Sequence, residues 1–404
     1  MASLFPFKFF TILALTSALL LSPSLAQTTC ATVSPKYAPV VAAGYNAKVL
    51  MNGLKTPRGM LFDSQGNLLI VEQGGAGVRL VKLTDGDGTN VCVASSKQLI
   101  ADSSLNHGIQ LTGDGKTLFV SSETIVYSYT YDATAGTSII PSGHATRTLL
   151  ISKQNPDQIL VQVGSNANID SATTEASSGR SQARIFSINA LTAGTSSVAY
   201  STGTLFAWGL RNSIGWAEEP TTDIHMNNPG EELNYHGVLN DTKSPQFGAN
   251  YGYPLCIAAR DPTILPANTG IQIGTQFVYG TVGGTNTDDS CAPKQAPRLT
   301  FPAHTAPIDL KFTANGSALY VTFHGSWDRQ PPDGYRLSRV DFKNGQPLQP
   351  ANSTNPAINI LTNADNTKCP NGCFRPSGLA WDSKNRLYMA SDSTGEVFVI
   401  SVMF

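Results

Sequence analysis

The sequence is poor in charge. Lys, Arg, Asp and Glu make up 14% of its residues and sum to a formal net charge of -1, so the chain lacks the basic surface that nucleic acids and acidic membranes require. A small or uncharged partner suits it better. Long apolar runs are lacking too, apart from one at the start, where Lys8 precedes the apolar stretch 9–21 and Ser24-Leu25-Ala26 makes the small-x-small pattern cut by signal peptidase. This run is short for a bilayer span and polar Gln27-Thr28-Thr29 follows it, so residues 1–26 read as a signal peptide. Also missing are a Gly-rich phosphate loop, a His-Glu-x-x-His pair and a Ser nucleophile elbow, which sets aside nucleotide, zinc-peptidase and lipase chemistry. Long helical periodicity is absent.

What is present points to an exported β protein. Six cysteines follow residue 26, and an even count in an exported chain reads as three disulfides. The pairs expected are Cys30 with Cys92, Cys256 with Cys291, and Cys369 with Cys373. A metal reading of Cys369-x-x-x-Cys373 is poor, since no second pair stands at ligand spacing. Asn-x-Ser/Thr sites at Asn240, Asn315 and Asn352 agree with a glycosylated extracellular product. Short alternating runs broken by Gly, Asp, Asn and Pro predict many antiparallel strands.

These runs recur as a unit. Gly59-Met60-Leu61-Phe62 turns at 63–67 into Leu68-Leu69-Ile70-Val71, and Gly108-Ile109-Gln110-Leu111 turns at Asp114-Gly115 into Leu118-Phe119-Val120. Further copies run from Thr148 into Ile159-Leu160-Val161, from Ile308 into Leu319-Tyr320-Val321, and from Gly378 into Leu387-Tyr388-Met389. Another opens at Asn212-Ser213-Ile214-Gly215-Trp216-Ala217. Repeats of roughly 40–70 residues with several strands each predict an all-β, six-bladed β-propeller, one domain over residues 27–404, because radial closure hides edges that an open array would expose. The fourth copy is broken. After Pro220-Thr221-Thr222 the chain passes straight to Asp223-Ile224-His225, and one strand with its loop, roughly ten to twenty residues, is expected to be absent.

Propellers place ligands at the axial mouth, beside the ends of the innermost strands. At those positions stand Arg58, His107, His144, Arg211, His304 and Arg375, all cationic or imidazole, and three of the chain's six histidines are among them. Arg and His are also ordinary loop residues, but their recurrence at equivalent positions favours a ring that binds a compact, planar anion through charge-assisted hydrogen bonds. Two segments that follow second strands look specialised: 164–170, with Ser165, Asn168 and Asp170, and 324–329, with His324, Trp327 and Arg329. An indole beside Arg suits stacking on a flat ring or sugar. Glu231 and Glu232 are paired acids that could bind Ca²⁺ or act as acid and base; a solvated turn explains them at least as well.

Together these motifs resemble the fungal pyrroloquinoline quinone (PQQ) dependent pyranose dehydrogenases, distant relatives of bacterial soluble glucose dehydrogenase and sorbosone dehydrogenase. The resemblance spans nearly the whole chain after residue 26. It rests on Arg58-Gly59, Leu105-Asn106-His107-Gly108, His144-x-Thr146-Arg147-Thr148-Leu149, Gly164-Ser165-x-x-Asn168-Ile169-Asp170, Gly209-Leu210-Arg211-Asn212, Asn228-Pro229-Gly230-Glu231-Glu232-Leu233-Asn234, Phe323-His324-Gly325-Ser326-Trp327 and Arg375-Pro376-Ser377-Gly378.

The resemblance implies PQQ, a planar tricarboxylate, over the mouth, with Ca²⁺ on its quinone. It casts His144 as the general base on the anomeric hydroxyl of a sugar and Arg211 as the arginine that stabilises charge on the quinone oxygen, the product being a lactone. Cofactor contacts are expected from Arg58, His107, Ser165, Asn168, Asn212, His304, Trp327, Arg329 and Arg375. No metal ligand is assigned, because in the bacterial relatives the loop missing here supplies backbone ligands to Ca²⁺. Free pyranoses such as L-fucose, or 2-keto-aldoses, are the expected substrates, and a secreted haem or copper protein the external electron acceptor. Two other classes compete: a Ca²⁺-dependent propeller lactonase, which needs carboxylates at the mouth, and a catalytically silent propeller that binds glycans.

Overall fold

The second strand of each repeat is an apolar run, and burial explains why. Leu68–Glu72, Ala318–Phe323 and Leu387–Ser391 are buried at every residue, which requires packing on both faces of the sheet. The computed structural model describes residues 30–403 except 85, 124, 140–147, 166–169, 194–197, 212–215, 219–222, 228–229, 240, 263–269, 279–285 and 327–330; at 137–139, 216–218 and 223–227 it describes the backbone alone. The expected signal peptide and Asn240 lie outside these residues. No helix among them is long and apolar enough to cross a membrane.

The chain folds as an all-β propeller in which five blades are antiparallel sheets of four or more strands. The first runs Pro57–Phe62, Leu68–Glu72, Gly77–Thr84, Cys92–Ile100, and the second Leu105–Leu111, Thr117–Ser122, Val126–Asp132, Thr137–Ile139. Thr148–Ile151, Gln158–Val163, Gln182–Ser187 and Thr204–Trp208 make the third. In the penultimate blade Pro307–Phe312, Ala318–Phe323, Arg336–Lys343 and Ile358–Asn363 take the N-terminal Pro39–Val41 at their edge. The last blade, Pro376–Trp381, Leu387–Ser391 and Glu396–Val402, is completed by Tyr45–Met51 from the other end of the chain. Such pairing closes the ring and leaves no long open edge at the junction. Apolar clusters fill the gaps between neighbouring blades; Leu68, Ile70 and Val81, for instance, pack against Ala380, Tyr388 and Val399.

Between the third and penultimate blades lies a shorter sheet, Trp216–Glu218, Asp223–Asn227, Glu232–Gly237 and Leu299–Thr300. This corrects one sequence expectation. A second strand does follow the Pro220-Thr221-Thr222 corner, formed by Asp223–Asn227, which pairs antiparallel with both neighbours. Its period-2 pattern, with Ile224 and Met226 alternating with polar residues, satisfies strand geometry without the Leu/Val/Tyr richness of the other copies.

The innermost strands share an irregularity. Pairing register slips between Pro57 and Met60, Leu105 and Ile109, Pro307 and Asp309, and Pro376 and Leu379, and bulges of this kind bend a strand and re-aim its side chains. Hydroxyls on the second strands take up backbone donors there: Gly108 N–H donates to Ser121 Oγ at 2.8 Å, Asp309 N–H to Thr322 Oγ1 at 3.1 Å and Arg375 N–H to Ser391 Oγ at 3.1 Å. The repeat's opening glycine follows from the same crowding. A Cβ on Gly59 would run into the His107 carbonyl, and one on Gly378 into the Arg58 carbonyl, so these strands meet at the axis only because the side chains are missing.

The three disulfides are Cys30–Cys92, Cys256–Cys291 and Cys369–Cys373, the pairs expected. The first ties the N-terminal segment to the first blade. The second staples the excursion between Glu232–Gly237 and Leu299–Thr300, and the third closes a tight loop just before the last blade.

Candidate active site at the axial mouth

The bulged starts of the inner strands bring mouth residues into contact across blades. Arg58, on the inner strand of the first blade, donates from Nη1 to Asp392 Oδ2 at 2.6 Å. Asp392 directly follows the second strand of the last blade, and the same oxygen lies 2.7 Å from His324 Nε2. His324 follows the second strand of the penultimate blade and closes the chain on Arg375, whose Nη2 is 2.9 Å from His324 Nδ1 and whose Nε donates to the His324 carbonyl at 3.2 Å. Three blades thus join in one line: Arg58, Asp392, His324, Arg375. Their side chains are largely buried, Arg58 at 15% exposure, His324 at 12% and Asp392 at 8%.

The contacts assign the protons. A guanidinium only donates, so His324 Nδ1 accepts from Arg375; the ring proton sits on Nε2 and is donated to Asp392. The imidazole is therefore neutral. Burial, the largest influence, pushes its pKa in the same direction, lowering it against the pull of Asp392. Burial would raise the Asp392 carboxyl, but the His324 hydrogen bond and the charge of Arg58 outweigh it and hold it below the usual carboxylate range. Two guanidinium groups thus face one carboxylate, a surplus of one positive charge.

Behind the mouth an axial cavity is lined by Gly59, Met60, His107, Gln110, Thr148 and Lys311, among others. His107 opens into it from the second blade. Lys311 is 2.7 Å from Asp309, so that cation is matched within its own strand. On the third blade's side, Ser165 N–H donates to the Arg211 carbonyl at 2.6 Å, which brings two of the expected residues together through their backbones. Asp170 in the same segment holds Arg180 by a fork of 2.8 and 2.9 Å and accepts no sugar-facing role from this geometry. His304 is exposed, in left-handed backbone at φ 61°, three residues before its inner strand. His144, Asn168, Asn212, Trp327 and Arg329 lie outside the described residues.

Asp392 is the residue that sequence reasoning missed. Its signal was available: it stands immediately after Leu387–Ser391, the place in the repeat that drew attention to His324. The paired acids are a second correction. Glu231 and Glu232 do not form a solvated turn; they are 1% and 3% exposed at the start of a strand. Glu231 Oε1 accepts from Ala306 N–H at 2.9 Å, and Glu232 Oε2 from Asn234 Nδ2 at 2.9 Å. Burial pushes the Glu232 pKa up to about 8. The apolar Leu233 between hydrophobic neighbours draws this strand inward, and short hydrogen-bond partners let the acids follow. Among the described residues no group of three or more His, Cys, Asp or Glu is placed to hold a metal ion.

Comparison with known proteins agrees with the motifs. Residues 39–403 match the model of the TrAA12-like family. A pyrroloquinoline quinone-dependent sugar dehydrogenase of Hypocrea jecorina is 40% identical over 394 residues, 90% of this chain and 89% of that protein. Among solved structures, the calcium structure of the Trichoderma reesei Carbohydrate-Active Enzymes Family AA12 protein superposes with a TM-score of 0.87 at 40% identity, covering 92% of this chain and 99% of that one. The holo form of the pyranose dehydrogenase PQQ domain from Coprinopsis cinerea does so with a TM-score of 0.84 at 32% identity, covering 92% and 99%. The resemblance read from the motifs is therefore one of descent: this chain belongs to the TrAA12-like family.

Proposed function

We propose that this chain is a secreted PQQ-dependent dehydrogenase that oxidises the anomeric C1 hydroxyl of a pyranose or 2-keto-aldose to a lactone and passes the electrons to an external haem or copper protein. The observation that carries the reading is the Arg58–Asp392–His324–Arg375 line at the mouth. The Nε–H of Arg58 is buried there with no acceptor among the described residues, and a buried cationic donor left in that state is costly. An anionic or quinone-type oxygen would complete it. A planar tricarboxylate fits this donor set in the sign of its charge and in kind, and Arg58, Arg375, His107, His304 and Ser165 are the described residues we assign to holding it, with Asn168, Asn212, Trp327 and Arg329 by their motifs.

When bound, PQQ supplies the two-electron acceptor for hydride leaving C1. The chain's own work is to position and to move one proton. His144, by its motif, accepts the proton of the anomeric hydroxyl as C1 becomes the lactone carbonyl. Arg211, tied by its backbone to the 164–170 segment, offers a fixed charge where negative charge grows. Glu231 and Glu232 are engaged in structural hydrogen bonds, and no step is assigned to Ca²⁺.

Two coarser features support the setting. Leu233, Leu299 and Phe301 pack against the penultimate blade, and Leu239 and Tyr251 pack against the third. These contacts support a reading of the short sheet as a sixth blade, with residues 27–404 as one catalytic domain. Three disulfides and the similarity to fungal relatives support an extracellular location, with residues 1–26 as its signal.

The test is sugar-dependent dye reduction by the purified protein supplied with PQQ. Turnover with a free pyranose is expected. No turnover with any pyranose, together with retention on an oligosaccharide matrix, would replace this reading with a silent glycan-binding propeller.

A further inference from the structure

The neutral histidine and the shared carboxylate have a consequence for binding. Resting on the function proposed above, we infer that Asp392 is a positioning residue of the cofactor site: its single oxygen Oδ2 clamps Arg58 and His324, so that the guanidinium groups of Arg58 and Arg375 are held in fixed orientation toward the anion between them. The geometry is specific. Asp392 Oδ2 is shared at 2.6 and 2.7 Å, which fixes Arg58 through Nη1 and leaves its Nε–H as the buried donor without an acceptor among the described residues. On the other side His324, anchored through Nε2, presents Nδ1 as the acceptor that holds Arg375 Nη2. Arg375 is buried and lies beside the Tyr335 ring, 5.9 Å from its centroid. An arginine loses much rotamer freedom when it binds. Ordering both forks in advance removes that cost from the binding step.

Net charge alone predicts the opposite effect of removing this carboxylate. Asp392→Asn deletes a negative charge from the mouth and should tighten the binding of any anion if Asp392 acts only as a charge. As a clamp, its loss should weaken binding, because Arg58 and Arg375 are no longer held. The sign of the change separates the two.

The experiment is a PQQ titration of wild-type, Asp392→Asn, Arg58→Lys and the double variant, followed by intrinsic fluorescence, with thermal melts to establish that each is folded. In parallel, the order parameter of the Arg58 Nε–H is measured by NMR on the cofactor-free proteins. Asp392→Asn should weaken PQQ binding by about tenfold or more, the size expected for one charge-assisted hydrogen-bond arrangement. The double variant should be little worse than either single one, since both act through the same fork. Equal or tighter PQQ binding by Asp392→Asn would overturn the inference. If the wild type itself fails to bind PQQ, the functional reading fails, and the NMR measurement decides the clamp alone: Arg58 Nε–H falling from about 0.85 to below about 0.6 in Asp392→Asn supports it, and unchanged order refutes it.

Discussion

The last blade and the short sheet solve the same problem with different materials. The last blade has four strands of 6, 5, 7 and 7 residues, and its buried carboxylate, Asp392, meets an arginine from the next blade and an imidazole from the previous one. In the short sheet the strands have 3, 5, 6 and 2 residues, and its buried Glu232 takes hydrogen bonds from the Asn234 amide and the Ala258 backbone. Where the repeat is intact, a buried charge is matched by a cation from a neighbouring blade and stays ionised. Where it is short, the buried carboxyl answers to amide groups and is pushed toward its neutral form. The mouth inherits its cationic surplus from the intact side.

The largest expected effect breaks the two regions apart by function. His144→Ala should lower kcat by about 10²- to 10⁴-fold with PQQ affinity unchanged, because the role proposed for His144 is on the sugar, whereas the cofactor contacts proposed above are made by other residues. Equal loss of kcat and of PQQ affinity in steady-state and titration measurements would count against that division.

Next come the staples. Cys256→Ser with Cys291→Ser opens a loop of 35 residues' separation in the short sheet's excursion, and denaturant unfolding should show a loss of about 2–5 kcal/mol. Removing Cys369–Cys373, at a separation of 4, should cost less by the same measurement, since a shorter closed loop restricts the unfolded chain less. The reverse order would mean that the short sheet does not depend on its staple.

A smaller effect belongs to the axis of the intact side. Gly378→Ala places a methyl group against the Arg58 carbonyl and should destabilise by about 1–3 kcal/mol, with a loss of PQQ affinity because the Arg58 backbone must move. Chemical denaturation and titration of the same variant would show whether the two losses go together.

The most pH-dependent effect sharpens the contrast in buried acids. The Glu232 pKa is raised in the folded state to about 8, so between its unfolded value, about 4.3, and about 8 the folded protein binds more protons than the unfolded chain. Its contribution is fully present below the unfolded value and is lost as pH rises toward 8. Glu232→Gln should flatten that part of the stability curve, the variant gaining on the wild type as pH increases. A parallel offset at all pH values would show that Glu232 is ionised in the fold.

Much of this was legible in the residues. The opening glycines, the apolar second strands and the Asp- and Gly-containing turns encode the blades because each is demanded locally, by close approach, by burial on two faces or by a left-handed turn. Arg58 and Arg375 were legible for the same reason, each as a position in a repeat, and their side chains meet through Asp392 and His324. The place of Asp392, directly after a second strand, was legible too, but its role was not, because that role lies in a shared oxygen between blades 334 residues apart at Arg58 and 68 apart at His324, and one repeat copy carries no sign of that pairing. Glu231 and Glu232 misled because adjacent acids read as solvent-facing until the strand that buries them is known. The lactonase alternative loses its ground here also: the mouth carboxylate is engaged by Arg58 and His324.

The most direct test is a calorimetric titration of PQQ into the purified wild-type protein at low and at raised salt. Saturable binding at one PQQ per chain, weaker at raised salt because charge pairing at a partly open mouth is screened, is expected. No binding at either salt concentration would contradict the assignment of the mouth as a cofactor site.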